Sequence, residues 1–338
     1  MLRGALHNGN HESWQYADIR GGLEHSLVLN KSTPALSKES LSKGQILVEV
    51  ISAALNPADY KLPENVLVRS LFIKKPATPG FDFCGRVVAR QDENQSLSEG
   101  QLVFGALSPL SRYGTLSQFV IVPSSECVPL PDGVDPDHAA ATGTACLTSY
   151  QALLLGGIYD GSQVIITGGS GGTGTFAIQL AKAMGARVTA SCSTANVELC
   201  ERLGADSVLD YRQMDIASEL EKKGQVFDLA IDNVGIPGLY EKSHSFLKTD
   251  GKFMQVQFDL SAIRKSLQPR CLGGGRREFH IVVVKSKTED LNQVGKWLKE
   301  GKVKPVVRVF DWEDVPKAYA ELRTGCTVGK IVVRVARS

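Results

Sequence analysis

The chain of 338 residues has no apolar run approaching the roughly 20 residues of a membrane-spanning helix, which argues against a helical membrane protein. An excess of either charge is also missing. Its 38 Lys and Arg stand against 36 Asp and Glu, a net +2 that offers no basic field to nucleic acid. A cysteine framework is absent as well. The seven cysteines (Cys84, Cys127, Cys146, Cys192, Cys200, Cys271 and Cys326) are odd in number, scattered and without a CxxC pair, so they read as reduced thiols of a reducing compartment. The six histidines, His7, His11, His25, His138, His244 and His280, form no ligand set. The opening stretch MLRGALHNGNHESWQ lacks an apolar core of signal-peptide length, and the expectation is a cytoplasmic protein.

What is present suits two domains, each large enough to bury a core of its own. Runs rich in β-branched residues, "QILVEVIS" (45–52), "GRVVAR" (85–90) and "LSQFVIVP" (116–123), make the first 130 residues or so read as mostly β. The rhythm then changes. Strand candidates at 163–167, 187–192, 207–210, 227–232, 251–256 and 279–284 alternate with helical patterns such as "FAIQLAKAMGA" and "MDIASELEKKG". That alternation specifies a parallel, doubly wound sheet. The tail turns β again at "VKPVVRVF" and "GKIVVRV", too short to cover both of its faces, so it returns to the first domain. The expected division is 1–124, completed by 290–338, around a nucleotide-binding domain of 125–289.

Between the strand "QVIIT" and the helix "FAIQLAKAMG" lies GGSGGTG, in which Gly169, Gly171 and Gly174 make a GxGxxG. Small residues there allow a tight turn, approach of backbone to a pyrophosphate, and close packing of helix on strand. The helix start adds unpaired N–H groups and a partial positive charge for phosphates. Ser170, Gly172 and Thr173 complete the loop. At the end of the next strand, an Asp or Glu would bind the ribose diol of NAD and repel a 2′-phosphate. "ASCSTAN" has none, so NADPH is the expected cofactor. Ser191, Ser193, Asn196 and Tyr211 are candidate donors to that phosphate, the alternative for a Ser or Thr being a helix cap. Asn233, Val234 and Gly235, and the stretch Gln255 to Phe258, end later strands, on the edge where such sheets bind ligands.

The order of parts, with "NPADYK" (56–61), "PGFDFCG" (79–85), "GGSGGTG", "LGADSVLDY", "DNVG" and the closing "VGKIVV", resembles the medium-chain dehydrogenase/reductase superfamily over nearly the whole chain. Within it, the motifs look like the quinone oxidoreductase and enoyl or enone reductase branch, including fungal trans-acting enoyl reductases. The resemblance implies an α/β fold, with a doubly wound Rossmann domain beside a β-rich GroES-like catalytic domain. It also implies cofactor contacts at Thr144, Thr148, Gly329 and Lys330.

Zinc dehydrogenases of the superfamily carry ligands at places that here hold Asn56 or its neighbours, Phe81-Asp82 and Thr144. Neither phenylalanine nor threonine replaces imidazole or thiolate on zinc. The region of the structural zinc, "RQDENQSLSEGQ", has no cysteine. No metal is therefore expected, and without a Lewis acid the simpler task is hydride transfer to the C=C bond of an α,β-unsaturated carbonyl or a quinone. By resemblance Asn56 stands near the nicotinamide ribose and Tyr60 or Lys61 faces the substrate. The alternatives are a simple turn for Asn56-Pro57 and surface positions for Tyr60 and Lys61. Other readings left open are a partner reductase of a polyketide synthase, a non-redox member that binds NADPH and steers a cyclisation, and a binding module. A homodimer and a monomer are equally compatible with the sequence.

Overall fold

The computed structural model describes residues 9–91, 97–109, 111, 113–257 and 276–336. His7, Phe258, Cys271 and the segment "DLSAIRKSLQPRCLGGG" lie outside the described residues. β1 (His11–Gln15) pairs antiparallel with β2 (Val28–Thr33). In β3 (Gln45–Ala54) alternate residues Ile46, Val48 and Val50 are buried, and the strand forms the middle of a seven-stranded sheet. Its antiparallel partners are β4 (Asp82–Arg90) and β6 (Phe119–Pro123). β5 (Leu102–Ala106) follows on β4, and β7 (Cys127–Pro129) on β5.

Two helices interrupt this β-rich part, α1 (Pro57–Glu64) and α2 (Val66–Phe72). The start of α1 has a local cause. Asn56 caps the helix, Pro57 fixes φ at its first position, and Asp59 returns a carboxylate to the Asn56 N–H in a capping box.

The chain forms two compact units. The first runs to Leu147 and resumes at Lys285–Gly301 and from Pro305; the second takes Thr148–Val284 and Lys302–Lys304. β7 and α3 (Pro136–Ala140) thus stay with the first unit, beyond the sequence boundary at 124, because β7 completes a ladder with β5. α4 (Thr144–Gly156) leads from one unit into the other.

The second unit holds a six-stranded, wholly parallel sheet in the order β10-β9-β8-β11-β12-β13. Its strands are β8 (Gln163–Thr167), β9 (Arg187–Cys192), β10 (Ser207–Asp210), β11 (Phe227–Asp232), β12 (Leu247–Gln255) and β13 (Glu278–Ile281). Helices α5 (Gly172–Ala183), α6 (Val197–Arg202), α7 (Ile216–Lys223) and α8 (Ser243–Phe246) lie between strands. The central strands β8 and β11 bury the apolar runs Val164 to Ile166 and Leu229 to Ile231, as a sheet covered on both faces requires. Chain order reverses between β8 and β11, so the carboxyl ends of those two strands flank the switch point where such sheets take ligands.

After α9 (Thr288–Lys299), β14 (Val307–Asp311) and α10 (Val315–Arg323), the tail strand β15 (Lys330–Arg334) pairs antiparallel with β3 and parallel with β14. The tail therefore completes the first sheet.

Candidate active site

In the second unit the glycine loop is shaped by the chain itself. Gly168 adopts φ +62, and a Cβ on Gly174 would stand 2.1 Å from its carbonyl oxygen, so Gly174 is required for α5 to start this close to β8. The Gly169 N–H donates to Ser191 O at 2.7 Å, tying the loop to the end of β9. Gly171 differs. A Cβ there would meet only Gly168 O, at 3.4 Å, and Gly171 caps α5 with no side-chain hydrogen bond. The result is open space over uncapped helix-start N–H groups, which fits a phosphate.

Asn196 Nδ2 donates to Ser170 Oγ at 3.1 Å and to Ser193 Oγ at 3.2 Å, joining the glycine loop to the residues after β9. Ser191, by contrast, is 2% exposed and contributes its backbone carbonyl rather than a reachable hydroxyl. Tyr211 is exposed at the end of β10, and the Arg212 guanidinium stands 5.5 Å from its ring centre. Arg212 is a cation that the sequence reading passed over. Its signal was present, a basic residue at the carboxyl end of the strand next to β9. Gly172 and Thr173 begin α5, and Thr148 is buried.

Across the switch point, Asp232 fixes the next loop. It accepts from Thr167 Oγ1 at 2.6 Å and from the N–H groups of Val234, Gly235 and Ile236. Asn233 Nδ2 donates to Thr167 O at 2.9 Å, and Gln255 Nε2 to Gln257 O at 3.0 Å. The carbonyl oxygens of these two amides, Asn233 Oδ1 and Gln255 Oε1, are buried without a hydrogen-bond partner. Each such orphan costs about 1–3 kcal/mol.

In the first unit the superfamily's ligand places come together around a lysine. Lys330 Nζ donates to Leu55 O at 2.9 Å, Asn56 Oδ1 at 2.6 Å and Asp82 Oδ2 at 3.3 Å, which accounts for its three hydrogens. Asn56 Nδ2 donates to Asp82 Oδ2 at 2.9 Å, while Asp82 Oδ1 accepts from Thr144 N at 2.7 Å and Thr144 Oγ1 at 2.6 Å. Lys330 and Asp82 are 4% and 0% exposed.

Three residues expected at the cofactor have protein surroundings of their own. Lys330 directs its ammonium at Leu55 O, Asn56 and Asp82, so every proton it carries has a protein acceptor. Gly329 is explained by backbone crowding, since a Cβ there would lie 2.1 Å from Val306 O. Thr144 directs its hydroxyl to Asp82. Of the three proposed catalytic residues, only Asn56 belongs to this set. Tyr60 is 9% exposed and packs in the core with the Arg323 guanidinium 4.4 Å from its ring centre, and Lys61 is exposed on α1.

Asp59, which the sequence reading missed, accepts from Asn56 N at 2.7 Å and Tyr319 OH at 3.2 Å, and its Oδ1 is buried without a partner. Burial, reinforced by the Asp82 carboxylate, raises its pKa to about 8. Asp59 is thus buried beside the Asp82–Lys330 ion pair, and burial favours its neutral form. Its signal was the Asn-Pro-x-Asp helix start.

Among the described residues, no group of three or more His, Cys, Asp or Glu is placed to hold a metal. The donors at the former ligand places are an amide, a hydroxyl and a carboxylate already bound by four hydrogens, a set that does not fit zinc.

Family models agree with this architecture. Residues 42–132 match the alcohol dehydrogenase GroES-like domain, and residues 203–333 match the zinc-binding dehydrogenase model. The chain is 41% identical to a trans-enoyl reductase of Aspergillus terreus, over 96% of each chain. It is 29% identical to an NADPH-dependent alkenal/one oxidoreductase of Arabidopsis thaliana, over 95% of this chain and 79% of that one. A quinone oxidoreductase structure from Coxiella burnetii superimposes with a TM-score of 0.85 at 27% identity, covering 96% of this chain and 99% of that one. By its motifs, its fold and these matches, the chain belongs to the medium-chain dehydrogenase/reductase superfamily of oxidoreductases, in its enoyl reductase branch.

Proposed function

We propose that the protein is a zinc-independent, NADPH-dependent reductase of the C=C bond of α,β-unsaturated carbonyl compounds or quinones. The observation that carries the cofactor choice is the Ser193–Asn196–Ser170 link beside an open Gly171. Hydroxyls and an amide stand where an NAD-selective chain would place a carboxylate, and Arg212 lies beside Tyr211 after the neighbouring strand β10. The NADPH named in the Arabidopsis relative supports the same choice. Zinc independence rests on Asp82, whose four donors leave it committed to Asn56, Thr144 and Lys330.

Bound NADPH supplies the hydride. In this reading Gly169 to Gly174 and the start of α5 hold the pyrophosphate, and Ser193, Asn196, Tyr211 and Arg212 hold the 2′-phosphate. Asn233, Val234 and Gly235 line the far side of the switch point. Asn56 is the catalytic-domain residue we retain, since the Lys330–Asp82 pair fixes its orientation. The substrate's carbonyl takes up the charge as an enolate, so no metal is needed, and a proton from water completes the saturated product.

A trans-acting role is the second reading, favoured by the 41% identity to the Aspergillus terreus enzyme. The substrate then arrives on a carrier of a polyketide synthase. For self-association, β10 and β13 are the edge strands of the second sheet among the described residues and could pair with a second copy. We place the protein in the cytoplasm, in keeping with six free cysteines among the described residues.

The test is separate titration of the purified protein with NADPH and NADH, then consumption of the reduced form with enones, quinones and a carrier-bound enoyl thioester. Tight NADPH binding with turnover of a free enone supports the first reading, and turnover only of the carrier-bound substrate supports the second. Tight binding with no turnover on any substrate contradicts both.

A further inference from the structure

One helix of the first unit turns its apolar side chains outward. In α2, Val66, Leu67, Leu71 and Phe72 are 58% to 68% exposed, and no residue of the helix is buried. Val66, Leu67, Ser70 and Leu71 share one side of the helix, the reverse of the usual pattern in which the apolar stripe faces the core. The helix is nonetheless held in place. Asn65 Oδ1 accepts from Val68 N at 3.1 Å at its start, Arg69 Nη1 donates to Pro63 O at 3.2 Å, and Ile73 just after its end packs on the core. A fixed apolar patch with a polar rim marks a place where a partner docks.

The rim of this patch is basic. Asp18 is taken up by Lys75 at 2.7 Å and Glu64 by Arg323, whereas Lys61 on α1 and Lys74 after α2 are exposed and make no ion pair among the described residues. Two such surfaces facing each other across a twofold axis would bring like charges together, which disfavours a second copy as the occupant. A membrane is also a poor match, because α2 has seven residues and is only ~10 Å long, a spot rather than the extended stripe of a helix lying in a bilayer surface. What complements it is a protein face whose apolar residues are ringed by Asp or Glu.

We infer that the exposed side of α2 docks the carrier domain of a polyketide synthase, through an apolar contact ringed by carboxylates on the carrier, an inference that rests on the trans-acting reading above. α2 follows directly on α1, whose eight residues rise ~12 Å from the Asn56 cap. A carrier seated on α2 therefore holds its tethered enoyl thioester one short helix away from Asn56, and both helices belong to the same unit. The contact is small, as a partner that leaves after each turnover requires.

The experiment compares two forms of one substrate, a 2-enoyl thioester on an excised polyketide synthase carrier domain and the same acyl group on N-acetylcysteamine, by consumption of NADPH. Leu67→Ser combined with Leu71→Ser, and separately Lys74→Glu, raise KM for the carrier-bound form about tenfold and leave KM for the small thioester within about twofold, with kcat unchanged on both. Retained turnover of the small thioester and an unchanged thermal midpoint show that the variants are folded. Lys74→Arg keeps the wild-type KM. Variants that lose both forms equally, or neither, overturn the inference. So does α2-dependent binding to phosphatidylserine vesicles, or a dimer that the leucine variants dissolve, when KM for the carrier-bound form stays unchanged. Wild-type protein that reduces the small thioester with no preference for the carrier-bound form overturns the trans-acting reading, and protein that reduces neither overturns the reductase reading itself.

Discussion

The ammonium of Lys330 lies 2.6 Å from Asn56 Oδ1, a contact between residues 274 positions apart that fixes the start of α1 from the last strand of the chain. The same ammonium balances Asp82. A buried carboxylate that loses the cation paired with it is costly. Lys330→Met is therefore expected to destabilise the first unit by about 3–5 kcal/mol, and Asp82→Asn in the same chain to recover part of that loss. All three tryptophans, Trp14, Trp297 and Trp312, fall in the first unit, so urea unfolding followed by tryptophan fluorescence reads it selectively. Additive losses in the two variants would show that the ion pair does not couple them.

Asp59 gives the fold a pH dependence of definite sign. Its pKa in the folded protein is about 8, against about 4 for an ordinary aspartate, so folding favours its neutral form. Its stabilising share is complete below pH about 4 and is lost as pH rises through about 8. Asp59→Asn keeps the capping geometry and removes the titration. The variant is expected to lose less stability than wild type between pH 5 and 9, measured by urea midpoints in a common buffer series. Parallel curves would contradict the assignment.

Two glycines of one loop are expected to respond differently to the same methyl group. Gly174→Ala meets the Gly168 carbonyl oxygen at 2.1 Å and lowers the thermal midpoint of the second unit, with loss of cofactor binding as a consequence. Gly171→Ala has room for its Cβ and φ of −78, so its stability stays within about 0.5 kcal/mol of wild type. Its NADPH affinity nevertheless falls by about tenfold or more, because the methyl group occupies the phosphate's approach. Scanning calorimetry paired with NADPH titration separates the two effects.

Selectivity between cofactors is expected to follow charge at the end of β9. Ser193→Asp places a carboxylate beside Asn196 and lowers the NADPH-to-NADH affinity ratio by about tenfold or more, roughly 1.4 kcal/mol. Arg212→Ala moves the ratio in the same direction while leaving NADH affinity unchanged. Fluorescence titration with each reduced cofactor checks both.

The sequence showed the second unit well because its signals are local. The strands at 163–167, 187–192, 207–210 and 227–232 appear with those bounds, since each is an apolar run closed by a turn. β12 starts at Leu247 rather than at Gly251, because the polar residues Lys248 to Asp250 gave no strand pattern. The polar centre of the first unit was harder to read. Asn56 and Asp82 were singled out by resemblance, but their junction with Lys330 spans 274 and 248 residues, and no local pattern encodes such a contact. Tyr60 was placed at the substrate because it shares a motif with Asn56. One turn of helix separates the two in function, for it swings Tyr60 into the core under Arg323.

Hydride transfer itself is the claim on which the account turns. The measurement is incubation of the protein with an enone and NADPH deuterated at the transferable position of the nicotinamide, followed by mass and NMR analysis of the product. The account predicts one deuterium at the β-carbon and a solvent proton at the α-carbon of the saturated ketone. A product formed without deuterium, or deuterated NADPH recovered unchanged beside a rearranged product, would contradict it.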